Sequence, residues 1–314
     1  MLDVIIPAYN AKDTIFRTLS SLALQREIEF DVHIVNDCSD YDYYDYVEYF
    51  SKYYSIEEIK LDKNVGPGGA RNKGIKSTKN EYIMFIDSDD YLYTPYTLKK
   101  MLDYIKEYNG DILVSNFIYE RDNERIIKTE DYIWLHGKIY KREFLDKYDI
   151  EFNNTRANED NGFNRLILLL NPIINYYRDI TYVYSENPLS ITRRNNREYK
   201  LSGLEGYIYN MKWAMEEAIK RGCDLYNIAD FSVTVLISMY FYYLDLYKDY
   251  DVTKIIKWSK DILDLYNSMD FIIKDDNIME RIYYFKNKYA LEGKFYNEII
   301  TYDEFIKMVE DLQV

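Results

Sequence analysis

The sequence has few of the residues that interrupt or cross-link a chain: 314 residues include 11 glycines, 5 prolines and 2 cysteines. Two cysteines, Cys38 and Cys223, cannot form a disulfide framework, so a reducing compartment is expected. The longest apolar run, residues 231–244, is shorter than the ~20 residues that span a bilayer and includes polar hydroxyl side chains. A basic leader with a cleavage site is absent as well. We therefore expect a cytoplasmic protein with no membrane span, and a position at the inner face of the membrane is a hypothesis.

Basic residues are also in deficit, since 40 lysines and arginines face 54 acids and give a net charge of −14. Binding to nucleic acid of any sequence needs clustered cations, so no nucleic-acid partner is expected. Aromatic residues, in contrast, are abundant: 37 tyrosines contribute to a 17% aromatic content. Such a chain can bury a large apolar surface, which excludes intrinsic disorder.

The first part of the chain alternates short apolar runs with helical patterns, which predicts an α/β fold with a mixed, mostly parallel sheet. From about residue 201 long helical patterns dominate. We predict a first domain over residues 1–200 and a helical domain over 201–314, with a homo-oligomer through the C-terminal helices as a hypothesis. The runs that predict strands in the first part are 4–7, 30–35, 56–61, 82–86 and 111–119.

An acidic cluster is the first sign of chemistry. Asp87, Asp89 and Asp90 lie within four residues at the end of a predicted strand. Ligands in such sheets bind at the carboxyl ends of the strands, and repulsion between close carboxylates favours a divalent cation. A solvated turn or a helix cap is the alternative. Asp37, at the end of another strand, can accept a hydrogen bond from a ligand or serve as a turn residue.

A glycine-rich turn is the second sign. Gly66-Pro67-Gly68-Gly69 precedes a predicted helix from about Ala70 to Lys76 that carries Arg71. Helix N-termini favour anions, and a guanidinium suits a phosphate. The turn lacks the Gly-Lys-Ser/Thr of a Walker loop.

Five motifs in a fixed order are recognisable together. They resemble the family 2 glycosyltransferases of the GT-A fold, of the type that builds bacterial cell-surface glycans. The resemblance covers about residues 1–195. The motifs are residues 4–10, 36–39, 66–74 and 85–90, followed by 137–163 with its Glu159-Asp160 pair.

The resemblance implies a binding site for a sugar nucleotide donor, most simply a UDP-sugar, with Mn²⁺ or Mg²⁺ as cofactor. The base would be held after the first two strands, and a carboxylate at position 37 suits uracil or thymine. Asp89 and Asp90 would hold the metal, with either as the ligand. Asp160 would be the general base and Glu159 would position a neighbour, although the two roles could be exchanged. The nucleotide-binding residues implied are Pro7, Ala8, Tyr9, Asn10, Asp37, Gly68, Arg71, Asp87, Ser88 and Asp89.

The resemblance further implies an inverting, metal-dependent transfer to a hydroxyl of a glycan or glycopolymer acceptor. Arg193, Arg194 and Arg197 form a basic cluster for the donor diphosphate or an anionic acceptor, or else a solvated loop. The chain departs from the family at Asn36, which is often Asp, and at Cys38, which is often Gly. Two other functions stay open: a nucleotidyltransferase, and a non-catalytic scaffold that binds sugar nucleotides.

Overall fold

The fold is described from a computed structural model over residues 1–155, 157–187, 198–248, 251–269, 275–291 and 300–312. The chain divides into two compact units, Met1–Ala214 and Met215–Val314, and each is described by itself. The division falls inside a long helix, Glu198–Lys220. The predicted domain boundary at residue 200 stays a prediction.

Unit 1 is built on one sheet, and its strands are β1 (Leu2–Ala8), β2 (Phe30–Asn36), β3 (Ser55–Lys60), β4 (Tyr82–Phe85), β5 (Tyr91–Leu92), β6 (Ile112–Arg121), β7 (Glu124–Lys128), β8 (Lys138–Lys141) and β9 (Ile174–Tyr184). The order across the sheet is β3-β2-β1-β4-β8-β6-β9-β5, and β7 also pairs with β6. The pairings among β1, β2, β3 and β4 and the β6–β9 pairing are parallel, and the β4–β8, β5–β9, β6–β7 and β6–β8 pairings are antiparallel. The predicted α/β class with a mixed, mostly parallel sheet is therefore confirmed.

The helices of unit 1 are α1 (Ile15–Ala23), α2 (Tyr44–Phe50), α3 (Gly66–Ser77), α4 (Thr97–Glu107), α5 (Arg142–Lys147) and α6 (Glu159–Leu169). The helix α7 (Glu198–Lys220) contains the division between the units. Unit 2 continues with α8 (Leu225–Leu246), α9 (Thr253–Asn267), α10 (Asp275–Leu291) and α11 (Tyr302–Glu310). This confirms the predicted helical C-terminal region.

The strand order determines where a ligand can bind. The chain runs from β1 outward to β2 and β3, and then returns to β4 on the other side of β1. Open α/β sheets bind ligands outside the carboxyl ends of the strands at such a reversal. The residues that follow these two ends are Tyr9 and Asn10 after β1, and Asp87 to Asp90 after β4. Two predicted motifs therefore share one crevice.

Apolar side chains hold the strands beneath this crevice. Every residue of β1 is buried, as expected for a parallel strand covered on both faces. Val4 and Ile6 belong to the same core cluster as Ile15 and Leu19 of α1. Burying one such side chain stabilises the fold by about 1.5–3 kcal/mol relative to leaving it exposed. The strand ends are thus supported by a continuous core.

The glycine-rich sequence Gly66–Gly69 is the first turn of α3 itself and not a turn that precedes the helix. The Asp37 carboxylate explains the early start, because it accepts from the N–H of Val65 at 2.7 Å and of Gly66 at 2.9 Å. Pro67 fits a first helical turn, where its missing N–H leaves no bond unmade. The prediction of a helix start near Ala70 is wrong for this reason.

Unit 2 is helical throughout its described part. Helix α8 is buried on most of its circumference, and Tyr240 on this helix donates to the carbonyl of Ile300 at 2.8 Å. Arg281 of α10 donates to Thr234 Oγ1 of α8 at 2.8 Å. Among the described helices, none is both long enough and apolar enough to cross a membrane.

A buried histidine links the first three strands. His33 Nε2 lies 3.0 Å from Asp3 Oδ1, and His33 Nδ1 lies 2.8 Å from Glu57 Oε1. Asp3 also accepts from the Asn80 N–H at 2.8 Å and from Arg142 at 3.1 Å. Burial opposes the charge on His33, but the hydrogen bonds to Asp3 and Glu57 raise the pKa of His33 above 6.5. The imidazolium form satisfies both carboxylates at once.

We expect this network to make stability depend on pH. A histidine with a raised pKa stabilises the fold fully below its ordinary pKa of about 6.5, and the contribution is lost as the pH rises through the raised value. The margin by which the wild type exceeds His33→Asn in denaturant unfolding should therefore be larger near pH 5.5 than near pH 9. Glu57→Gln should shift the loss of that margin to lower pH. A margin independent of pH would contradict the arrangement.

Candidate functional site

The acidic cluster follows β4 at the crevice. Asp87, Ser88 and Asp89 are partly exposed, whereas Asp90 is fully buried. Asp90 Oδ2 accepts from the Tyr182 hydroxyl at 2.7 Å, and Asp90 Oδ1 accepts from the Ser185 N–H at 2.8 Å. Asp90 therefore fastens the cluster to the end of β9.

Asp89 faces a different set of groups. Its Oδ2 accepts from Asn187 Nδ2 at 2.7 Å, and Arg17 donates to its backbone carbonyl at 2.5 Å. Burial, followed by repulsion from Asp87, raises the pKa of Asp89. Burial, followed by repulsion from Asp89 and Asp87, raises the pKa of Asp90 well above its ordinary value. The cluster thus holds more negative charge than its surroundings neutralise.

Arg71 of α3 joins the two acidic motifs. Its Nη2 donates to Asp87 Oδ1 at 2.6 Å, and its Nη1 donates to Glu159 Oε1 at 2.8 Å. The arginine is only 4% exposed, and it lies over the Phe152 ring with a distance of 5.4 Å to the centroid. Burial opposes its charge, but Asp87 and Glu159 raise the pKa of Arg71. The guanidinium therefore stays charged and bridges both carboxylates.

Glu159 and Asp160 form the first turn of α6. Glu159 is buried against Arg71, whereas Asp160 is partly exposed and accepts from the Asn161 N–H at 2.8 Å. Burial, followed by the charge of Glu159, raises the pKa of Asp160 to about 7. This is a value suited to a general base near neutral pH. The geometry gives Glu159 the contact to Arg71 and leaves Asp160 available for a proton.

The loop after β1 is fixed by side chains that follow β2. Asn10 Oδ1 accepts from the Asp40 N–H at 3.0 Å, and the Tyr43 hydroxyl accepts from the Ala11 N–H at 3.1 Å. Tyr9, between the strand and these anchors, is 56% exposed. Its ring is accessible to a planar ligand. The predicted residues Pro7 and Ala8 are buried as the last two residues of β1.

Asp37 is buried at the end of β2 and caps α3 through both oxygens, as described above. The predicted Gly68 is buried in the first turn of that helix, where an added Cβ would lie 2.7 Å from the Asn153 carbonyl oxygen. Glycine at this position therefore allows α3 to approach residues 152–153 closely. Contacts of Asp37 and Gly68 with a nucleotide stay predictions.

The two departures from the family have local explanations. Asn36 is fully buried, and its Nδ2 donates to Glu58 Oε1 at 2.6 Å. An aspartate here would place a second carboxylate against Glu58. Cys38 has a φ of 61°, in the left-handed region that glycine adopts without strain.

Two residues near the cluster were missed by sequence reasoning. His136 is buried, with Nε2 at 3.7 Å from Asp90 Oδ2, and burial lowers the pKa of His136 to about 4. Lys138 of β8 is 1% exposed and donates to the Asp131 carbonyl at 2.6 Å, and burial lowers the pKa of Lys138 to about 8. Both belong to the recognised stretch 137–163 or adjoin it, but only the folded chain brings His136 next to Asp90 and places Lys138 where its charge acts on His136 and Asp160.

The described donors fit a hard divalent cation. One ligand atom from each of Asp87, Asp90 and His136 lies within 4.8 Å of the other two. Two buried atoms around the cluster that can bind a cation, His136 Nδ1 and Ser185 Oγ, lack a hydrogen-bond partner among the described residues. A cation would also relieve the repulsion that raises the pKa values of Asp89 and Asp90. The predicted Arg193, Arg194 and Arg197 lie outside the described residues.

Comparisons with known proteins point to one family. Residues 3–158 match the family described as "Glycosyl transferase family 2". Staphylococcus aureus poly(ribitol-phosphate) beta-N-acetylglucosaminyltransferase TarS is 31% identical over 204 residues, which cover 58% of this chain and 35% of that protein. TarP, named for the same activity in the same species, is 27% identical over 63% of this chain and 68% of its own length. The chain thus spans about a third of TarS.

Solved structures show the same fold. The crystal structure of S. aureus TarS 1-349 in complex with UDP-GlcNAc has a TM-score of 0.59 and 22% identity, and the match covers 85% of this chain and 73% of that one. At this identity the likeness concerns the fold alone.

We expect Asn36→Asp to lower stability near neutral pH, because a buried carboxylate would face Glu58 without a hydrogen between them. A buried uncompensated charge costs about 3–5 kcal/mol. The double variant with Glu58→Gln should recover most of the loss, since the glutamine amide can donate. Denaturant unfolding of the four proteins in this cycle measures the coupling. Additive losses would show that the two side chains do not interact.

We expect Cys38→Gly to stabilise the protein by about 1 kcal/mol, because the left-handed conformation strains a residue that has a Cβ. The thiol contributes only a weak 3.7 Å contact to the Asp62 carbonyl. Thermal unfolding measures the change, and Cys223→Ser, away from the strained position, controls for thiol chemistry. A lower melting temperature for Cys38→Gly would contradict the assignment of strain.

Proposed function

Residues 3–158 belong to the family 2 glycosyltransferases, and from this membership we propose that the chain transfers a hexosyl group from a nucleoside-diphosphate donor to an acceptor hydroxyl. One observation carries the proposal: the Arg71 guanidinium joins Asp87 of the Asp87-Ser88-Asp89 motif to Glu159 beside Asp160. A donor-side carboxylate and the neighbour of a candidate base are therefore fixed relative to each other.

The proposed donor is a UDP-sugar. Tyr9 provides an exposed ring at the end of β1, and Asp37 lies at the end of the adjacent strand. The N–H of uracil can donate to a carboxylate that still has lone pairs, since each oxygen accepts more than one bond. The solved complexes of TarS with UDP and with UDP-GlcNAc support this choice of base.

The proposed cofactor is Mn²⁺ or Mg²⁺. Asp89 would hold it, because this carboxylate is partly exposed at the crevice, with Asp87 and Asp90 beside it. Asp90 is the alternative ligand, although its two oxygens already accept from Tyr182 and Ser185. The bound cation would supply Lewis-acid stabilisation of the diphosphate leaving group.

Asp160 is the proposed general base. In a single displacement its carboxylate removes the proton of the acceptor hydroxyl as that oxygen attacks the anomeric carbon. The bond from this carbon to the diphosphate oxygen breaks, the nucleoside diphosphate leaves, and the configuration at the carbon inverts. Glu159 and Arg71 hold the first turn of α6 in place during this step. The hydrogen bond from the uracil N–H to Asp37, the bound metal and the inversion of configuration are all parts of this proposal.

The proposed acceptor is a glycan or glycopolymer of a bacterial surface, by analogy with the activities for which TarS and TarP are named. A cytoplasmic location, at the inner face of the membrane, and self-association through the C-terminal helices belong to the same proposal.

The two alternative functions differ in measurable ways. A nucleotidyltransferase usually has its glycine-rich loop directly after the first strand, whereas Ala8-Tyr9-Asn10 occupies that place here. A non-catalytic binder needs no base, yet Asp160 has a pKa of about 7 at the crevice.

We expect Asp160→Asn to lower kcat by about 10²–10⁴-fold in hydrolysis and transfer of sugar nucleotides with Mn²⁺ while nucleotide binding is retained, as is usual for loss of a general base. Asp89→Ala should weaken Mn²⁺ and UDP binding measured by calorimetry. Asp103→Asn, which removes one partner of an exposed ion pair on α4, is the matched control. Metal-independent, equal activity of all proteins would refute the mechanism, and stabilisation by GDP alone among UDP, dTDP and GDP would refute the base.

The wild-type kcat/KM should rise with pH through about 7, because the base acts as the carboxylate and kcat/KM reports the free enzyme. Initial rates between pH 5 and 9 test this, and the rise should vanish for Asp160→Asn.

A further inference from the structure

The chain before the candidate base lies between two helices. Residues 152–155 and 157–158, the lead-in segment, precede α6 and contact α3 on one side. Asn72 of α3 accepts from the Phe152 N–H at 2.7 Å and donates to the Phe152 carbonyl at 2.8 Å. Arg71 holds Glu159 from the same helix. One side of the segment is thus fixed by α3, the helix that carries the predicted donor-binding residues Gly68 and Arg71.

The other side of the lead-in segment contacts α7. Asn210 is fully buried, and its Nδ2 lies 2.8 Å from the Gly206 carbonyl of the same helix, 3.0 Å from Thr155 Oγ1 and 3.3 Å from the Ala157 carbonyl, so that its two hydrogens are shared among three acceptors. Asn158 Nδ2 donates to the Gly203 carbonyl at 2.8 Å. These contacts lie within unit 1, because the first half of α7 precedes the division at residue 214. The lead-in segment is thus held from both sides.

Two glycines allow this close approach. A Cβ on Gly162 of α6 would lie 2.5 Å from Asn210 Oδ1, and a Cβ on Gly206 of α7 would lie 3.1 Å from the Ala157 carbonyl oxygen. The first distance is a severe overlap, whereas the second requires the segment to move by a few tenths of an ångström. Gly162 therefore leaves room for the Asn210 side chain, and Gly206 leaves room for the Ala157 carbonyl.

We propose that Asn210 is a positioning residue for the Glu159-Asp160 turn, so that the first half of α7 completes the site of the base. The proposal rests on the proposed function of Asp160. Asn158, the residue before α6, has a φ of 61°, and its backbone carbonyl accepts from the Gly162 N–H at 3.1 Å. A shift of Ala157 or Asn158 is therefore transmitted directly to the first turn of α6. Displacement of a catalytic group by about 1 Å can cost a factor of about 10² in rate.

Gly206→Ala separates positioning from stability. Alanine favours a helix more than glycine does, so the melting temperature should stay the same or rise. The new Cβ pushes on the Ala157 carbonyl, so kcat should fall about tenfold at unchanged KM for the donor and unchanged calorimetric affinity for UDP, a smaller loss than a full 1 Å displacement would cause. Asn210→Ala and the isosteric Asn210→Asp should lower kcat in the same way, with lower melting temperatures. Tyr209→Ala, adjacent on α7 with a side chain 56% exposed, is the matched control and should match the wild type.

A readout independent of activity reports on Asp160 itself. The charges that shift the pKa of Asp160 belong to Glu159 of α6, Arg71 of α3 and Asp87 after β4. The charge of Asp160 in turn raises the pKa values of Lys138 and Tyr140 of β8. Burial raises the pKa of Asp160 to about 7. The free energy of unfolding of the wild type, relative to that of Asp160→Asn, should therefore fall as the pH rises from about 4 and become constant above about 7. In the Gly206→Ala and Asn210→Ala backgrounds this difference in unfolding free energy should become constant at a lower pH, because a displaced turn exposes Asp160 to more water and lowers its pKa.

The outcomes are distinct. If the wild type neither transfers nor hydrolyses any sugar nucleotide, the proposed function fails. The pH dependence of unfolding, compared between the wild type and the variants, then still decides whether Asn210 positions Asp160. If Gly206→Ala and both Asn210 variants keep the wild-type kcat, or the pH at which the unfolding difference becomes constant is unchanged, the positioning role is wrong. If Asn210→Ala does not fold, the kcat of Gly206→Ala and the pH at which its unfolding difference becomes constant decide the positioning role alone.

Discussion

One buried charge arrangement constrains the candidate site: the Arg71 guanidinium between the carboxylates of Asp87 and Glu159. Removing one of the two buried partners, Arg71 or Glu159, would by the usual magnitude cost about 3–5 kcal/mol, because a charge is left without compensation. The arginine comes from α3, and its partners come from the end of β4 and the start of α6. The three elements therefore have to fold as one body. The Phe152 ring, which Arg71 covers, stacks on the ring of Phe163 of α6 with the centroids 3.8 Å apart.

The carboxylate charge that Arg71 does not balance determines which ligands the candidate site favours. Arg71 supplies one positive charge for the two carboxylates of Asp87 and Glu159, while burial and repulsion from neighbouring carboxylates raise the pKa values of Asp89, Asp90 and Asp160. The overall charge of −14 does not produce this effect by itself, because screened surface acids interact weakly. The local excess of buried acid is what favours a divalent cation and a base that titrates near neutral pH.

Sequence reasoning predicted more of the fold than of the contacts. Apolar runs and helical periodicity located the main strands and helices, because burial on one or both faces imposes those patterns. The start of α3 was misplaced, since its cap is Asp37, about 30 residues earlier in the chain. His136, Lys138 and Asn210 were missed for the same reason. Their significance depends on neighbours that come from distant strands and helices, and no local pattern records such pairs.

Sequence alone predicts the α/β class, the helical C-terminal region and the order of the motifs, because each follows from periodicity and spacing along the chain. It also placed polar residues at strand ends, where a parallel sheet binds ligands. Which of these residues touch depends on the tertiary structure. It made Asp37 a helix cap and Asp90 an anchor to β9, and it brought Asn210 against the chain that precedes Asp160. Hydrogen bonds and ion pairs act over about 3 Å in space and are independent of separation in sequence.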